Sequence, residues 1–209
     1  MLGRATALAR RATAVATVGL VAGLLGAGIA AADTPVAKDL SFKGDFPVIG
    51  TLTPIKAHIT TSLPSPVVVG KSSKLFPASV DIDAPPDATT GLNLIGAASV
   101  EGTAKLTALI TDSAGKKYSA KIQLTIPKTP TPADGQDLKF TATGQAIIPV
   151  ISNTGAAVAS VDLTSVSTTL TPKDAKGEPT ALGTFTVDLT PDPAGQDPTL
   201  GTIQIVAAS

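Results

Sequence analysis

Beyond Asp33, apolar and polar residues alternate with a period of two in short runs punctuated by Pro and Gly, and no stretch there carries a helical stripe. The clearest unit spans Thr103 to Pro127. Ala104, Leu106, Ala108 and Ile110 alternate with Lys105, Thr107 and Thr111; Asp112-Ser113-Ala114-Gly115 turns the chain; Tyr118, Ala120, Ile122, Leu124 and Ile126 alternate on the way back. This predicts a β-hairpin with one buried and one wet face. Burial fixes its register, because a slip of one residue would put Lys105 and Lys121 inside.

Similar runs cover Ile55 to Thr61, Val67 to Val69, Phe76 to Ile82, Leu92 to Leu94, Ala98 to Val100, Leu138 to Ala142, Ala146 to Ile151, Val158 to Leu163, Val166 to Leu170, Thr184 to Leu189 and Thr202 to Val206. Pro85-Pro86-Asp87 breaks the ladder, since proline has no N–H to donate. About eleven or twelve short strands separated by turns predict an all-β fold, an antiparallel β-sandwich of immunoglobulin-like style. Pro127 to Gly135 has the composition of an extended linker. It either separates two small sandwiches or crosses one large one; the thin core of a C-terminal half of about 75 residues favours one domain over 33–209.

The segment ahead of Asp33 has a different pattern. Arg4, Arg10 and Arg11 precede an apolar run from Val15 to Ile29, and Ala30-Ala31-Ala32 offers small residues for cleavage, so residues 1–32 read as a secretory signal peptide. A retained membrane anchor is the competing reading, because Ala12 to Ala32 approaches the roughly 20 residues of a bilayer span. The expected product is secreted, extracellular or envelope-associated, with no stable membrane insertion after cleavage.

Cleavage removes every arginine and leaves 13 lysines against 16 acids. A weakly acidic chain without arginine is a poor nucleic-acid binder and lacks the fork that grips carboxylates and phosphates. No cysteine is present, and Tyr118 and five phenylalanines are the only aromatic residues, so the core must be aliphatic.

Candidate chemistry is sparse. His58, the single histidine, stands in an alternating strand between Ala57 and Ile59, and no partner for acid–base work is visible beside it. It reads as a surface residue. Asp81, Asp83 and Asp87 form the densest acidic set and suggest an edge Ca²⁺ site, but Asp81 and Asp83 also fit the wet face of a strand whose other face is Val80 and Ile82, with Asp87 as a turn former. Asp188, Asp192 and Asp197 make a looser set of the same kind. Zinc is disfavoured by one histidine and no cysteine. There is no G-x-S-x-G elbow, Walker loop or G-x-G-x-x-G. The expectation is therefore no catalytic, cofactor-binding or metal-binding residues, and no cofactor.

Phe46-Pro47-Val48-Ile49-Gly50, Leu63-Pro64-x-x-Val67-x-x-Gly70, Gly91-Leu92-x-Leu94-x-Gly96-Ala97-Ala98-Ser99-Val100-Glu101-Gly102, Phe140-x-Ala142-x-Gly144 and Ala194-Gly195-Gln196-Asp197 form a further pattern. It resembles an actinobacterial secreted domain family of unknown function. The resemblance implies an immunoglobulin-like sandwich. It also implies a cysteine pair at places corresponding here to Gly44 and about Val187, both absent, as if one disulfide were lost as a unit. It carries over no catalytic residue.

These observations favour a non-enzymatic protein acting by surface interaction, with a cell-wall or extracellular protein partner. The alternatives are a carbohydrate- or wall-binding module, for which aromatic platforms are scarce, and a carboxylate-based hydrolase.

Overall fold

The hairpin forms as its alternation requires: strand β5 (Ser99–Thr111) pairs with β6 (Lys117–Pro130), with Leu106 opposite Ile122 and Ile110 opposite Tyr118. Lys105 and Lys121 lie outside. The computed structural model describes residues 33–208; the signal-peptide expectation for residues 1–32 lies outside them. Around the hairpin are β1 (Thr34–Phe46), β2 (Gly50–Leu63), β3 (Val67–Val68), β4 (Phe76–Ala84), β7 (Leu138–Ala146), β8 (Gly155–Lys173), β9 (Phe185–Pro191) and β10 (Thr199–Val206), with one helix, α1 (Pro86–Leu94).

The expected sandwich is corrected to a closed antiparallel barrel. Eight strands follow one another as β8-β5-β6-β7-β4-β2-β1-β9, and β9 pairs back onto β8. β10 pairs with the first half of β8, and β3 lies outside β10. Alternation does not distinguish the two architectures, since both bury one face of every strand. The difference lies at two short seams, which a sandwich would leave open. β6 meets β7 through Leu124–Gly144 and Thr125–Thr143, and β1 meets β9 through Phe42–Pro191 and Lys43–Thr190. Each seam holds a glycine in close contact, with backbone at Gly144 and with the tips of two side chains at Gly44. A Cβ on Gly144 would lie 2.4 Å from the Gln123 carbonyl oxygen, and one on Gly44 would lie 2.7 Å from Val187 Cγ1.

The positions that the resemblance linked by a lost disulfide are thus neighbours across a seam. Gly44→Cys with Val187→Cys is expected to oxidise spontaneously and to stabilise the protein by about 2–4 kcal/mol through the long loop it closes. Thermal melts with and without reductant check this. Leu189, whose Cδ2 is 2.8 Å from the Gly44 Cβ position, must shift to admit the bridge.

Four local readings also change. The stretch after Pro85 is helical: proline occupies the first turn, Asp87 follows it, and the last turn closes as Gly96 N–H donates to Asn93 and Ala97 N–H to Leu92, with Gly96 at φ +67°. Ala146 to Ile151 is not a strand. β7 ends at Ala146, and the chain leaves the sheet with Ile148 and Ile151 plugged into the core, 2% and 0% exposed. Val158 to Leu163 and Val166 to Leu170 are two parts of the single strand β8, whose excursion at residues 163–166 is held where Asp162 accepts the N–H and hydroxyl of Thr164. The first four residues of the expected linker, Pro127 to Pro130, end β6, and the strands on either side of the stretch pair in one sheet.

The barrel core is mostly aliphatic, with Leu124, Ile126 and Val100 no more than 2% exposed, and it includes one buried aromatic side chain, Phe42, at 3%. A second cluster, containing Ile151, Ala157, Ile203 and Ile205, lies beneath β10 and the 147–154 loop. The interior is filled but for voids of about 40 and 50 Å³. Helix α1 and the Phe46–Ile49 turn cover one end, packing with Leu138, Leu170 and Phe185.

Candidate functional site: an open polar groove on the barrel wall

Strands that bury one face must present the other, and on β1, β2, β4 and β7 the outward positions fall into rows across the sheet. Asp39, His58, Asp81 and Thr141 make one row, and Ser41, Lys56, Asp83 and Lys139 the next. Both line an open groove of about 740 Å³, closed at one side by Gln196 from the β9–β10 loop.

Within it, His58 Nδ1 lies 2.6 Å from Asp39 Oδ1. This partner was missed from sequence because it is 19 positions away and is brought alongside only by the β1–β2 register. Thr141 donates to Asp81 at 2.5 Å, and Lys139 Nζ is 3.3 Å from Asp83. The side chains of His58 and Asp39 are 44% and 86% exposed, so water screens the pair.

Other acidic positions go to separate places. Asp87 lies in the first turn of α1, apart from the Asp81 and Asp83 row. Asp188 is on β9, Asp192 accepts from Thr53 Oγ1, and Asp197 accepts from Lys38 Nζ at 2.7 Å. That lysine, with the Thr199 N–H, holds the Asp197 carboxyl well below the usual carboxylate range. Among the described residues, no three His, Asp or Glu side chains gather closely enough to hold a metal ion. Gln196 has a structural task. Its amide accepts from Ser41 N–H and donates to Ser41 C=O, standing in for the ladder partner that β1 lacks beyond its short pairing with β9.

The other concentration of polar groups is buried. Asp112, 5% exposed, accepts from the N–H groups of Ala114 and Lys116, the hydroxyl of Tyr118 and the side-chain amide of Asn153, while that tyrosine oxygen accepts from Ser152 N–H. Burial pushes its carboxyl up, but the donations, led by Asn153, outweigh it and leave the value lowered from the ordinary 3.8. A lowered folded value means stability that is complete above the unfolded value and lost as pH falls below it. Asp112→Asn is therefore expected to melt several degrees below the parent at pH 7, and the gap to narrow as pH falls from about 5 toward 2. Thermal melts across that range check it. The network ties the β5–β6 turn to the 147–154 loop, and the buried Asp112 is occupied by its four donors, which makes its role structural.

No curated protein and no solved structure matches the chain. A family of unknown function, DUF6801, matches residues 41–201, which include all the motifs singled out above. Those motifs fall on the helical cap, the β6–β7 seam, the 64–75 loop with β3, and the Gln196 clamp, and of their residues Phe140 and Gln196 line the groove. Because the match covers most of its length, the chain belongs to the DUF6801 family of unknown function.

Proposed function

We propose that the chain is an exported, non-enzymatic binding protein of the extracellular space or cell envelope, engaging its partner through the groove on the outer wall. The observation that carries this reading is the contrast between a 740 Å³ open groove, where charged and hydroxyl side chains stand beside Ile82 and Phe140, and an interior filled by apolar side chains alone. A groove with Asp39, Asp81 and Asp83 facing His58, Lys56 and Lys139 suits a partner that carries hydroxyls and charges of both signs, as wall polymers and extracellular proteins do. The signal-like pattern of residues 1–32 supports export.

A carboxylate-based hydrolase is the second reading. The observation for it is the row itself, in which Asp39 and Asp81 stand two strands apart, about 10 Å, with His58 between them. Against it, the row is open to water, whereas a catalytic carboxyl needs a shielded site to retune its proton affinity.

The test is binding of residues 33–209 to isolated actinobacterial cell wall, comparing the parent with Asp39→Asn/His58→Ala/Asp81→Asn. All three substitutions are on the surface, and the variant should retain stability within about 0.5 kcal/mol per site. Retention on the wall should fall at least tenfold. Undiminished retention, or none by the parent, would count against the groove. Release of sugar that stops with Asp39→Asn alone would favour the hydrolase.

A further inference from the structure

The two ends of the barrel differ in charge and in apolar exposure. Loop 64–75 runs along loop 147–154 through Gly70 N–H to Ile151 C=O and Ser73 N–H to Ile148 C=O. The β5–β6 turn joins them where Ser113 Oγ donates to Thr154 C=O. This end therefore gathers Leu75, Ile147 and Val150, which are 62%, 40% and 52% exposed. Leu75 and Ile147 directly flank the last β4–β7 pair, Phe76 with Ala146. The 64–75 loop and the β5–β6 turn carry exposed Lys71, Lys74 and Lys116, the last 5.0 Å over the Tyr118 ring, and none has a carboxylate within salt-bridge distance among the described residues. Asp33 borders the same end, lining a concavity of about 470 Å³ with Pro64 and Lys74, while Asp112 is already spoken for by its four donors.

The opposite end is acidic. Helix α1 and the loops there carry Asp87, Asp134, Asp137, Asp174 and Glu178 against Lys176, with Lys139 Nζ 3.7 Å from Asp137. Thr90 Oγ1 donates to Asp134 and Ala98 N–H to Lys173 C=O, which brings these loops to one end.

Aliphatic side chains exposed among lysines suit the boundary of a bilayer with anionic headgroups: the aliphatics enter the acyl boundary and the lysines meet the phosphates. The chain itself enters the fold at this end. The first strand begins there, with Thr34 opposite Leu63 at the end of β2. We propose that the Leu75/Ile147/Val150 end of the barrel docks on anionic lipid bilayers, with the acidic end directed away from the surface. The docking face is an end and the groove is on the side wall, so one can fail without the other.

The test is co-sedimentation of residues 33–209, the compact unit that carries the whole barrel, with vesicles of phosphatidylcholine containing phosphatidylglycerol or of phosphatidylcholine alone. The protein should sediment with the anionic vesicles at low salt and be released as salt rises. Each lysine at the surface contributes about fivefold to partitioning, so Lys71→Gln/Lys74→Gln/Lys116→Gln should lower it about a hundredfold. Leu75→Ser/Val150→Ser should lower it at unchanged charge. Lys176→Gln, at the other end, should leave it unchanged. Thermal melts confirm that each variant is folded, and the vesicle and salt series on the parent tests the proposal without any variant. Equal sedimentation with both kinds of vesicle, no sedimentation at all, or variants that partition like the parent would overturn it. A change in oligomeric state without a change in vesicle binding would assign the face to a second copy of the chain and overturn it as well.

Discussion

Gly144→Ala will destabilise the barrel by about 3 kcal/mol or more, at the upper end of what an added methyl costs in a packed site. The reason is the identity of the atom it meets. A Cβ at residue 144 lies 2.4 Å from the backbone oxygen of Gln123, and a strand cannot rotate away as a side chain can. β6 and β7 are joined there by only two residue pairs, so moving either strand opens the seam. Gly102→Ala makes the same point inside β5–β8, where the Cβ would stand 2.0 Å from the Thr169 carbonyl oxygen. For a domain of this size the loss corresponds to a drop in Tm of about 6–12 °C. Urea unfolding checks it: the midpoint should fall, and an unchanged midpoint would mean that the strands are not that close.

Leu124→Ala should cost about 2–5 kcal/mol. Leu124 is 1% exposed, sits at the β6–β7 seam and lines both interior voids. Truncation joins and enlarges those voids, so the cavity cost adds to the lost transfer energy. Leu106→Ala is expected to cost less, because that side chain is only partly buried. Chemical unfolding of the two variants side by side tests the order: Leu106→Ala costing more would contradict the arrangement of the interior.

The β5–β6 hairpin was legible because alternation, a turn and two lysines all agree on one register. Closure was not. Whether two edges hydrogen-bond depends on strand bending and on glycines such as Gly44 and Gly144, which in sequence look like any glycine in a strand. Helix α1 escaped the periodicity because Thr89, Thr90, Gly91 and Asn93 are poor helix formers; its proline start and Gly96 stop were the available signals. Ala146 to Ile151 read as a strand because three isoleucines and a valine dominate it despite Pro149, yet Ile148 and Ile151 serve as plugs. At the groove, His58, Asp81 and Asp83 were visible as outward residues, but their neighbours are set by register: Asp39 beside His58, and Lys139 beside Asp83.

The most direct test of a closed barrel is nuclear Overhauser spectroscopy of the isotope-labelled protein at the two seams. Cross-strand backbone contacts should appear between Lys43 and Thr190 and between Thr125 and Thr143, together with slow amide exchange along both seams. The absence of those contacts at either seam, with intact contacts within β5–β6 and β2–β4, would mean two sheets with open edges and would contradict closure.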